Sequence, residues 1–150
     1  MIALSIRQPW AWLITRPDVV GAAARAALVE QDLIKTVENR DWPTNYRGQM
    51  LLHAGKTCTV ADYDAALLFV EAFVSPALAL QVPDLAELPR GGVVGMTHLV
   101  DCVRSHPSRF FTGDPDLPEG GYGFVLQGSI AVPFLPWKGR LGFFDVVVKR

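Results

Sequence analysis

At the start of the chain, Ile2, Leu4 and Ile6 fall on alternate positions, the period-two pattern of a short strand with one buried face. Pro9 follows, and a proline in the first helical position gives up no needed N–H, so Gln8 to Ile14 reads as one or two helical turns. Trp10, Leu13 and Ile14 share a side of that helix. Trp12 stands about 200° from Trp10 at 3.6 residues per turn, so the spacing assigns Trp12 to solvent or to the next helix. Pro17 ends the turn, and Asp18 is expected to cap a second, Ala-rich helix running through Gly21 to about Gln31, a spacer of good helix formers.

Lys35 to Arg40 (KTVENR) reads as a strand, Asp41 to Asn45 (DWPTN) as a turn, and Gln49 to Ala54 as another strand. Thr59 followed by Asp62 three residues later forms a capping-box signature for a helix through Val74. Val60, Leu67, Val70 and Val74 share one side of it, with Ala66, Phe69 and Phe73 beside them. Residues 75–91 hold Pro76, Pro83 and Pro89 and predict an irregular connection. Val93 to Val103 is β-rich. Residues 105–121, dense in Pro, Gly and Asp, predict a long surface loop of the kind that forms a lid or binding loop. Tyr122 to Leu126 and Leu141 to Lys149 close the chain as strands, joined by Ser129 to Arg140. Five or six strands with helices between the early ones give an α+β domain on a curved, mostly antiparallel sheet with flanking helices. Val37, Leu51, Val94, Val100, Phe124 and Val146 are the expected core.

The chain has 150 residues, enough for one domain with a real core. Half of them are hydrophobic and 19% charged, too apolar a balance for a disordered tail. Fourteen Lys and Arg against fifteen Asp and Glu give a net charge of -1, which argues against gripping a long duplex by bulk electrostatics and makes any nucleic-acid site a local one. The segment MIALSIRQPW lacks the basic start of a signal peptide. The longest apolar stretch, Ala65 to Val74, is broken by Glu71 and is about half the length of a membrane span. Cys58 and Cys102 show neither CxxC spacing nor disulfide density and are expected to be buried thiols of a reducing compartment. These features predict a soluble, cytoplasmic protein with no membrane partner.

Candidate chemistry concentrates in KTVENR. His53, His98 and His106 have no paired-ligand spacing, so no metal is expected, nor any other cofactor, since no GxGxxG, Walker A or GxSxG motif is present. On a strand, Thr36, Glu38 and Arg40 share a face while Val37 points to the core, and Lys35 reaches the same space only where the chain kinks. A carboxylate flanked by cations accepts protons or orients a ligand's N–H groups; an ordinary solvated strand face has the same alternation. Other candidates are Trp10 as a base-stacking platform or a core residue, Arg47 and the pair Lys138 and Arg140 as phosphate contacts or turn residues, and His53 and Lys56 as ligand donors or structural residues. Asp101, on a face with Thr97, is a candidate second carboxylate.

The segments LSIRQPWAWLI (Leu4 to Ile14), KTVENRDWPTNYRGQMLLHAGK (Lys35 to Lys56), LPRGGVVGMTHLVDCV (Leu88 to Val103) and the closing YGFVLQ and KGRLGFFDVV together resemble the ASCH domain, a relative of PUA-like RNA-binding barrels. The KxxExR core of that family corresponds to Lys35, Glu38 and Arg40. The resemblance implies a PUA-like β-barrel spanning residues 1–150, with the Ala-rich helix around 18–31 as an insertion. It also implies a cleft lined by the KxxExR strand and the QPW helix start, Gln8 and Trp10 included, that takes RNA, other single-stranded nucleic acid or a nucleobase-like ligand such as a modified nucleoside. Two positions depart from the family's pattern. The usual glycine two places before the lysine is Leu33, and the threonine nucleophile of the small members that resemble hydrolases of acylated cytidine is replaced by Glu38.

Three function classes follow: a binding module for RNA or single strands, a hydrolase of an N4-acylated cytidine or of RNA phosphodiesters, and a protein-interaction domain. In the hydrolase reading, Lys35 and Glu38 are the catalytic pair, Glu38 as general base on water and Lys35 holding the oxyanion, with Arg40 orienting the carboxylate or a substrate phosphate.

Overall fold

The computed structural model describes residues 1–147. Six strands form one mixed sheet that curls into a half-barrel, with four helices packed around it. The strands are β1 (Ile2–Ile6), β2 (Val37–Arg40), β3 (Gly48–Ala54), β4 (Gly92–Val103), β5 (Tyr122–Pro136) and β6 (Phe143–Asp145), and the helices are α1 (Trp10–Thr15), α2 (Ala22–Glu30), α3 (Val60–Phe73) and α4 (Pro76–Gln81). The order across the sheet is β2-β5-β4-β3-β1-β6, and every neighbouring pair is antiparallel except β1 with β3. This is the curved, mostly antiparallel sheet with flanking helices that the strand pattern predicts.

The period-two alternation separates two faces. Leu4 and Ile6 of β1, with Met50, Leu52 and Ala54 of β3, enter the main core beside Ala11, Ile14, Phe124 and Leu126. The intervening Ala3 and Leu51 turn to the opposite face, where they meet Val93, Phe144 and Val146. A third cluster joins Trp12, Leu13 and Val37 to Val70, Val74 and Leu78 of the helical layer and to Phe110 from the long loop. Of the six residues expected in the core, Val100 alone is exposed. Thr97 and Leu99 take the buried face of this part of β4, so strict alternation turns Val100 outward together with His98.

Local signals account for several elements. The Thr59 hydroxyl accepts from the Asp62 N–H at 3.0 Å and Asp62 accepts from the Thr59 N–H, which completes the capping box of α3. Only Ala66 and Val70 of that helix are fully buried; Val60 and Phe73 are exposed, because the apolar stripe is wider than the surface it covers. Residues 75–91 are more ordered than the prolines suggest. Ser75 caps α4, with Pro76 in its first turn, where a missing N–H costs nothing. The Ala-rich helix starts at Ala22 with Gly21 as its cap. Asp18 instead pairs with Arg16 at 2.9 Å, and Arg25 ties the segment down by donating to the Arg16 and Ser129 carbonyls.

β5 continues to Pro136 where the sequence predicts a connection, bending across three register shifts against β4. Of the last expected strand, Phe143–Asp145 pairs with β1; Val148 and Lys149 lie outside the described residues. The spacing that sends Trp12 toward solvent does not hold. Trp12 is buried, with the Arg16 guanidinium 5.0 Å above its ring, and Trp10 is half-buried. Cys58 is buried and Cys102 half-buried, and both are free thiols. Among the described residues, no helix is long and apolar enough to cross a membrane.

Candidate functional site

Lys35 precedes β2, and its backbone N–H is fixed by the Leu13 carbonyl of α1 at 2.9 Å. Its side chain runs forward instead of outward. The ammonium donates to the Val37 carbonyl at 2.5 Å and to Glu38 Oε1 at 2.8 Å. The second Glu38 oxygen, Oε2, accepts from Arg40 at 3.0 Å, and the same Arg40 nitrogen donates to the Ser5 carbonyl at 2.6 Å. KxxExR spacing therefore becomes one chain of charge-assisted hydrogen bonds across a strand and its entry. Lys35 is 2% exposed and Glu38 7%.

Burial by itself would raise the Glu38 carboxyl; the charges and hydrogen bonds of Lys35 and Arg40 outweigh it and hold the group below the usual carboxylate range. Burial pulls the Lys35 ammonium below its ordinary value, with the Glu38 charge opposing. A general base works best with a pKa near the operating pH. Glu38 is held ionised, with both oxygens already accepting, and this arrangement suits an orienting anchor better than a proton acceptor.

These groups form one wall of an open cleft of about 1510 Å³. Trp10 stands beside them, its ring 5.8 Å from the Lys35 ammonium and edge-on to Phe69 at 5.8 Å. Another part of the lining carries His53 and Lys56 from the end of β3 and just after it, and Lys138 and Arg140 from the segment after β5; Lys56, Lys138 and Arg140 are exposed. Arg7 and Arg90 complete the rim, so seven of the chain's fourteen Lys and Arg line the cleft. Among the described residues only Glu38 and Asp62, of fifteen Asp and Glu, accompany them. A chain of net charge -1 thus gathers half of its positive charge in one place, and such a concave patch concentrates anions.

Eight of the eleven expected site residues meet here: Trp10, Lys35, Glu38, Arg40, His53, Lys56, Lys138 and Arg140. Gln8, Thr36 and Arg47 do not. Gln8 is buried and spends its amide on the Pro89 carbonyl and the Trp12 N–H, fixing the start of α1. Thr36 stands before the strand begins, so the expected alternation does not extend to it; its carbonyl accepts from the Leu126 N–H. Arg47 is exposed, donating to the Thr44 and Tyr46 carbonyls and standing 3.7 Å from Asp101. Asp101 is likewise exposed and outside the cleft.

Sequence reasoning missed Ser5, Asn39 and Trp137. Asn39 holds the long loop against the motif strand, donating to the Phe110 carbonyl at 2.9 Å and accepting from the Thr112 N–H at 3.0 Å. Together with Arg109, which donates to the Val74 and Gln31 carbonyls, it holds residues 109–112 of the long loop in place, and Phe110 and Thr112 line the cleft. Asn39 lies inside KTVENR and carried a local signal; Ser5 and Trp137 carried none. Among the described residues, no group of three His, Cys, Asp or Glu comes together to hold a metal ion. No protein-family model and no curated protein matches this chain.

Proposed function

We propose that the chain is an ASCH-type domain that binds short single-stranded RNA, or a nucleotide-like ligand, in the cleft between the Lys35–Glu38–Arg40 wall and the Lys138–Arg140 segment, acting in the cytoplasm, where Cys58 and Cys102 stay reduced. The observation that carries this reading is the gathering of seven cations around a cleft that also presents a half-open tryptophan. Phosphates account for the cations outside the Lys35–Glu38–Arg40 group and a base for the ring, since stacking on an aromatic platform contributes about 1–3 kcal/mol per base. A long duplex is a poor match, because the residues outside the cleft are net acidic and duplex binding draws on many phosphate contacts at once.

The test is a titration of a fluorescein-labelled RNA of about eight nucleotides, within the usual span of a single-strand site, against a DNA duplex of equal phosphate count, read by fluorescence anisotropy. Preferential binding of the RNA strand is expected. No binding at low salt, or a preference for the duplex, would overturn the reading.

A further inference from the structure

Ser5 and His53 are register partners on the one parallel strand pair of the sheet, and both line the cleft. The Ser5 hydroxyl is 3.0 Å from His53 Nδ1, and His53 Nε2 is 2.6 Å from the Trp137 carbonyl oxygen. A carbonyl only accepts, so Nε2 carries the hydrogen and the Nδ1 lone pair faces the Ser5 O–H. That is a nucleophile, a base and a group that fixes the base's tautomer, in the order acyl transfer requires. The pairing of β3 with β4 shifts register between Leu52 and His53, and a bulge there re-aims the imidazole.

Gly139 crosses the pair so closely that a Cβ on it would sit 2.7 Å from His53 Cε1 and 3.3 Å from Ser5 Oγ. Its N–H makes no hydrogen bond among the described residues. Neither Ser5 nor His53 belongs to the KxxExR hydrogen-bond chain, apart from the Ser5 carbonyl that accepts from Arg40.

We propose that Ser5 and His53 are a nucleophile and general base that hydrolyse O-acyl esters of nucleotides bound in this cleft; the choice of a nucleotide ester rests on the binding reading above. Ser5 Oγ attacks the acyl carbonyl carbon while its proton passes to His53 Nδ1. The ester C–O bond breaks, and His53 returns the proton to the departing nucleotide oxygen. Water, deprotonated by His53, then attacks the acyl-serine, releasing the carboxylic acid and restoring the Ser5 hydroxyl. General-base assistance of this kind contributes about 10²–10⁴-fold.

The experiment uses the full chain with three probes: a fluorophosphonate read by intact mass, 3′-O-acetyl-AMP with 3′-O-acetyladenosine read by acetate release, and AMP itself read by calorimetry. The wild type is expected to gain one phosphonyl adduct on Ser5 and to release acetate faster from the monophosphate than from the nucleoside. Ser5→Ala, which removes a single oxygen, is expected to abolish the adduct and to lower release at least about 100-fold, with AMP binding retained. Gly139→Ala is expected to impair both reactions by crowding the pair. Acetate release unchanged in Ser5→Ala, or neither adduct nor release in a wild type that binds AMP, would overturn the pair and leave the binding reading standing. Equal, Ser5-dependent release from both esters without AMP binding would overturn the nucleotide reading and leave the pair.

Discussion

The two walls of the cleft hold charges of the same kinds under opposite conditions. On one side, Lys35 and Glu38 are buried and every charge has a partner within 3.0 Å; on the other, Lys56, Lys138 and Arg140 are exposed. A buried pair is favourable only while both members stay, because removing one leaves an uncompensated charge in a poorly solvated place, at a cost of about 3–5 kcal/mol. An exposed cation costs the fold almost nothing to lose or reverse. The same residue types therefore serve two purposes: the buried wall is a rigid anchor that the fold depends on, and the open wall is free to meet a ligand.

The largest effect that sharpens this contrast is Glu38→Leu, which strands the Lys35 ammonium and should lower Tm by roughly 10 °C, as expected when about 3–5 kcal/mol is lost from a domain of this size. The open wall should respond in the opposite way: Lys138→Glu with Arg140→Glu should leave Tm within a degree or so, because exposed substitutions stay within about 0.5 kcal/mol. Equal losses of Tm in the two variants, measured by calorimetry, would erase the distinction between the walls.

Acid titration separates the walls again. Because Glu38 is held below its ordinary value, its contribution to stability is complete above the unfolded-state value of about 4.3 and is lost as pH falls through the lower folded-state value. Tm of the wild type should therefore fall more steeply below about pH 4.3 than that of Glu38→Gln. Parallel acid profiles would show that the carboxylate is not held by its partners.

A smaller effect is expected at Trp10, which lines the cleft beside the buried wall. Trp10→Leu should weaken binding of the RNA strand by about 1–3 kcal/mol, or roughly 5- to 150-fold, if a base stacks on the ring; unchanged affinity by anisotropy would assign Trp10 to the core alone. The smallest change is expected from Arg47→Ala, which lies outside the cleft and should leave affinity within about twofold.

What the sequence made legible was local. The alternation around Val37 and the Thr59–Asp62 capping box each lie within a few residues, and both can be read directly. Lys35 and Glu38 are three residues apart, so their meeting follows once the Lys35 side chain runs forward along the chain. The role of Gln8 is hidden because its partner, the Pro89 carbonyl, is 81 residues away. Ser5 and His53 are invisible as a pair for the same reason: 48 residues and a parallel strand pairing bring them together. The short helix at Pro76–Gln81 is legible in Ser75-Pro76, a cap followed by a proline, and is lost only when every proline is read as a breaker.

The most direct test of the binding account is the salt dependence of RNA affinity for the wild type and for Lys138→Glu with Arg140→Glu. Each phosphate contact on a single strand contributes about 0.7 to the slope of log affinity against log salt. The account predicts a clear negative slope for the wild type and, in the double variant, weaker binding with a slope flatter by about 0.7–1.4, at unchanged Tm. An affinity and slope identical in the two proteins would contradict it.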